Sequence, residues 1–101
     1  MPYFYVNADK KPYRLSGIEK HDNKFGTYII YARRWEEHWK NTIGGRQLVG
    51  RERHYSFVVP TVKKKFDIKF DNAVYSCKQA DKITLAKLVN HLSILLDIEQ
   101  L

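Results

Sequence analysis

Phe66-Asp67-Ile68-Lys69-Phe70-Asp71-Asn72-Ala73-Val74-Tyr75-Ser76-Cys77 is the stretch whose reading decides the fold. Phe66, Ile68 and Phe70 recur at every second position, the period of a half-buried strand. A two-residue turn at Asp71-Asn72 pairs Phe70 with Ala73, Ile68 with Tyr75 and Phe66 with Cys77, so one face is apolar or small throughout. Asn accepts the positive φ such a turn needs. The other face carries Lys63, Lys65, Asp67 and Lys69, and the same register sets Lys65 across from Lys78. Like charges facing each other are unfavourable unless an anion sits near them.

Downstream, residues 82–99 read as a helix. Leu85, Leu88, Val89, Leu92, Leu95 and Leu96 form a wide apolar stripe, and Asp81 is placed to cap the N-terminus. Ile94 and Ile98 lie off the stripe, which fits either deep burial or a second surface for a homo-oligomer contact or another partner.

Upstream, residues 53–59 alternate: Tyr55, Phe57 and Val59 face one way, His54 and Ser56 the other, and Pro60 ends the run. Residues 27–32 are a nearly continuous β-branched and aromatic run, read as a buried strand. Residues 3–8 and 13–18 read as paired strands around an Asp9–Pro12 turn, with Lys20–Lys24 as the next loop, closed by Gly26. Residues 46–50 are too short to assign. Trp35, Trp39 and Ile43 recur every four residues, and Arg33–Glu37 and Glu36–Lys40 are i,i+4 opposite-charge pairs. With Gly44-Gly45 as a stop, this predicts a short helix over 33–43; a strand continuing through Trp35 is the competing reading.

The expected fold is therefore α+β in a single domain, residues 1–101: a mostly antiparallel sheet of about five to six strands, a short middle helix and a C-terminal amphipathic helix. There is no repeat, low-complexity tract or linker-like stretch. A lone cysteine, Cys77, forms no internal disulfide; with no apolar span and no signal-peptide pattern after Met1, a cytoplasmic protein without a membrane span is expected.

Charge carries the most functional information. Eighteen Lys and Arg against eleven Asp and Glu give +7, which favours nucleic acid, an acidic protein or an anionic membrane surface as partner. The candidate nucleic-acid-binding residues are Arg33, Arg34, Arg51, Arg53, Tyr55, Lys63, Lys64, Lys65, Lys69 and Lys78, with Arg46, Trp35 and Trp39 nearby in the chain. Cations suit phosphate and rings suit bases. The plain alternative is a solvated charged face above core tryptophans, since a Trp pair at helical spacing is usually core. His21, His38, His54 and His91 lack metal-ligand spacing, so no metal or other cofactor is expected. His54 beside Arg51, Arg53 and Tyr55 would suit a metal-independent ribonuclease, with His38 or Glu52 as second group, but an exposed strand histidine is the favoured reading. Cys77, on an apolar strand face, reads as core rather than nucleophile.

Three function classes follow. The first is a small non-catalytic module contacting nucleic-acid backbone. The second is an accessory or inhibitory protein of a phage or mobile element that binds another protein. The third is a small ribonuclease, resting on His54 alone. Neither expected helix is basic along one face, so backbone or single-strand contact is favoured over sequence reading.

Overall fold

The computed structural model describes residues 3–7, 9–22, 26–62, 65–70 and 73–100. Among the described residues six strands and one helix follow in order: β1 (Tyr3–Val6), β2 (Tyr13–Asp22), β3 (Thr27–Thr42), β4 (Gly45–Val59), β5 (Asp67–Phe70), β6 (Ala73–Ser76) and α1 (Lys82–Gln100). They form one antiparallel sheet in the order β4-β3-β2-β1-β5-β6. The fold is α+β, as the sequence leads one to expect.

The hairpin register is the expected one: Ile68 faces Tyr75, Phe70 faces Ala73, and the Cys77 amide donates to the Phe66 carbonyl at 2.7 Å. The Asp71-Asn72 turn itself lies outside the described residues, as do Lys63 and Lys64. Asp81 caps α1, its Oδ1 accepting from the Thr84 amide at 2.7 Å.

The sheet curls until its two edges meet. After β4, the Thr61 amide donates to the Cys77 carbonyl and the Gln79 amide to the Thr61 carbonyl, both at 2.8 Å, forming an isolated bridge of Thr61 with Lys78. Phe57 of β4 thereby reaches the rings of Phe4, Tyr13 and Phe66. Inside the curl, Phe4, Leu15, Ile30, Val59, Ile68 and Phe70 are buried against Leu85, Leu88 and Leu92 of α1, which packs on β2 and β6.

The middle helix does not form. Residues 33–42 continue β3, which pairs with β4 from Tyr28–Val59 out to Thr42–Gly45. The i,i+4 spacing misled because residues four apart share a face in a strand as well as in a helix. The charges pair by strand geometry instead: Arg34 with Glu36 two residues on, and Arg33 with Glu52 across the ladder. Gly44-Gly45 is not a helix stop: Ile43-Gly44 form the two-residue hairpin turn and Gly45 opens β4 with φ +114, which favours glycine, and the Thr42 hydroxyl donates to the Gly45 carbonyl at 2.7 Å. Residues 46–50 belong to β4, and Lys20–Asp22 extend β2 where a loop was expected.

Beyond Arg33, the last β3 residue paired with β2, the hairpin leaves the body as a two-stranded ribbon. Nine further residues per strand project it about 30 Å. The radius of gyration, 16.1 Å, accordingly exceeds the roughly 13 Å of a compact chain this size.

Candidate nucleic-acid interface

Strand alternation sorts the side chains. Phe4, Val6, Tyr13, Leu15, Ile30 and Ala32 point into the curl, so Tyr3, Tyr5, Arg14, Tyr31, Arg33, Trp35 and Trp39 point outward. Register then aligns a single row across four strands: Tyr3 of β1 faces Arg14 of β2, Arg14 faces Arg33 of β3, and Arg33 faces His54 of β4. Two adjacent guanidinium groups in one row, flanked by an aromatic ring and an imidazole, form a positively charged strip.

Where the ribbon leaves the body, this row borders a cleft of about 360 Å³ lined by Tyr3, Lys11, Pro12, Arg14, Arg33, Arg34, Trp35 and Glu52. Among the described residues the lining holds four cations and one carboxylate, and Glu52 Oε1 lies 3.5 Å from Arg33 Nε. Trp35 forms one wall. Its indole rests against the Gly50 backbone, where an added Cβ would come within 2.3 Å of the ring, and its Nε1 donates to Glu37 Oε1 at 3.1 Å. Seated in this way, Trp35 is still 58% exposed. Further out, Trp39 faces Leu48 across the ladder, and the Arg46 guanidinium lies 5.4 Å from the Trp39 ring centroid. Both tryptophans are thus surface residues, against the expectation that a Trp pair is core.

The inner face of the ribbon is held by a different set. Glu36 accepts from the Tyr55 hydroxyl, from Arg34 Nη2 at 2.8 Å and from Arg53 Nη1 at 3.3 Å. The Tyr55 and Arg34 hydrogen bonds, with help from Arg53, hold its carboxyl down at about 2. The Arg34 guanidinium also lies 4.5 Å from the Tyr13 ring centroid.

The residues singled out in the sequence therefore divide. Arg33 is on the outer row; Arg34, Arg53 and Tyr55 are joined to Glu36 on the inner face; Arg51 is exposed on that same inner face. Lys69 is exposed on the outer face opposite Tyr5, Lys65 lies 3.8 Å from Asp67, and Lys78 is in the bridge with Thr61. Lys63 and Lys64 lie outside the described residues. Sequence reasoning missed Tyr3, Lys11 and Arg14. The alternation of Tyr3 with Phe4 and of Arg14 with Tyr13 and Leu15 was the available signal, but only the register joins them to Arg33.

His54 is exposed on the outer face, whereas Arg51, Arg53 and Tyr55 point to the inner one, so their adjacency in sequence is not a shared site. His91 lies 3.1 Å from the Tyr75 hydroxyl through Nδ1. Among the described residues no three His, Cys, Asp or Glu side chains come together, and no helix is long and apolar enough to cross a membrane. Cys77 is buried, and burial, with Asp67 nearby, pushes its thiol up to about 12. No protein-family model, curated protein or solved structure matches the chain.

Proposed function

We propose that this protein is a small non-catalytic module that contacts nucleic acid through the outer face of its sheet and the base of its ribbon. The observation that carries the reading is the cross-strand row Tyr3–Arg14–Arg33–His54, opening onto a cationic cleft walled by Trp35. Guanidinium groups bind phosphate bidentately, and exposed rings offer surface to bases. The net charge of +7 draws a polyanion toward this face.

A second reading has its own observation. Beyond Arg33 the ribbon has no strand on either side among the described residues, so its edges offer backbone donors and acceptors to another protein's strand. An accessory or inhibitory protein of a phage or mobile element would use such an arm. The cationic cleft favours the first reading.

The test is titration of labelled DNA and RNA, single- and double-stranded, with the purified protein at low salt. Binding that salt reverses is expected. Failure to bind any of the four at low salt would discard the nucleic-acid reading and leave the protein partner.

A further inference from the structure

On the footing of that reading, we infer that the cleft at the ribbon base selects single strands, with one unstacked base lying on the Trp35 indole and its phosphate held by Lys11, Arg14 and Arg33. Three features of Trp35 distinguish it from an incidental surface tryptophan. The ring is seated on a glycine, because any Cβ at Gly50 would collide with it. Its orientation is fixed by the hydrogen bond from Nε1 to Glu37. It remains 58% exposed after both contacts are made. A ring held in place before the ligand arrives loses little rotamer freedom on binding.

Such a ring is of use only to a base whose face is open. In a duplex each base is covered by its neighbours, whereas in a single strand every base presents a face, and stacking on aromatic side chains is the usual mode of capture. Cations and rings converge within one cleft of about 360 Å³, a volume that suits a single nucleotide rather than the two phosphate walls of a groove.

A two-stranded ribbon also fits the major groove of DNA. A ribbon lying in a groove meets phosphates on both sides and gains from cations on both faces. Here two of the inner-face cations, Arg34 and Arg53, are already paired with Glu36. The cationic cleft lies at the ribbon's base, against the body, where a groove-bound ribbon would make its poorest contact.

The experiment uses the whole chain and three probes: an oligothymidylate, an oligouridylate and a DNA hairpin duplex, all of similar charge. Single strands are expected to bind at least about tenfold more tightly than the duplex at matched salt. Because the chain has two tryptophans, Trp39→Phe leaves Trp35 as the only indole, and its emission is expected to be quenched by the oligothymidylate. Gly50→Ala keeps every charge and both tryptophans but evicts the ring; it is expected to weaken single-strand binding about ten- to a hundredfold, the span of one stacked base, with the salt slope unchanged. Should Gly50→Ala disturb the ribbon, as read by circular dichroism, the pair Trp35→Ala and Trp35→Phe replaces it: the first loses the same factor and the second recovers part of it. Equal or tighter binding of the duplex, or wild-type affinity in both Gly50→Ala and Trp35→Ala, overturns the inference while leaving nucleic-acid binding intact. Failure to bind any probe overturns both.

Discussion

Glu36 shows how one residue ties the ribbon to the body. Its carboxylate collects Arg34 from its own strand and Tyr55 and Arg53 from the neighbouring one, and each of these stabilises the charged form. The folded-state value of about 2 lies below the ordinary 4.5. A depressed carboxylate pKa contributes stability that is complete above the unfolded value and disappears as pH falls through the folded one. Unfolding midpoints measured between pH about 5 and about 2 should therefore fall more steeply for the wild type than for Glu36→Gln, which has lost the titrating group. Parallel pH profiles would show that the cluster adds nothing to folding. Cys77 makes the opposite case: with its thiol held at about 12 and the side chain buried, it should resist a thiol reagent at neutral pH until denaturant is added. Rapid labelling of the native protein would contradict the core placement.

At the scale of elements, what was legible depended on which periods are ambiguous. The β5–β6 register, the Asp81 cap and the apolar stripe of α1 each have a single reading, because period 2 with charged residues between, or period 3.6 over five turns, admits no rival. The 33–43 segment admitted two, since Trp35 and Trp39 share a face in either conformation. Only pairing with β4 decides between them, and that is a contact between residues the sequence gives no means to align. The candidate site suffered from the same gap. Arg33 was visible as a cation, but its neighbours Arg14 and Tyr3 come from strands whose order no local pattern reveals. The ribbon's independence is testable. Every buried β3 or β4 residue lies before Arg33 or after Tyr55. Replacing His38–Val49 by Asn-Gly, which closes a hairpin between the paired Glu37 and Gly50, should change unfolding free energy by less than about 1 kcal/mol. Urea denaturation of the two chains decides it; a loss of several kcal/mol would make the arm part of the cooperative core.

For the whole molecule the question is whether +7 acts as a diffuse field or as a face. The curl separates the two cleanly. The inner side of the sheet is occupied by α1, whose Lys82 and Lys87 are exposed, while Arg14 and Arg33 stand in the outer row. Changing either pair to Gln lowers the net charge by the same two units, from +7 to +5. A diffuse field would weaken binding equally in the two variants, through slower encounter. A face in contact with phosphates behaves differently, because each contact releases condensed counterions, and log affinity for a single strand falls with log salt at a slope of about −0.7 per contact. Arg14→Gln with Arg33→Gln should therefore flatten the slope by about 1.4, and Lys82→Gln with Lys87→Gln should leave it nearly unchanged. Exposed lysines add little to stability, so the control pair should also unfold like the wild type. Equal slopes in the two variants would mean that the strip is not the contact, and that the basic character of the chain acts only at a distance.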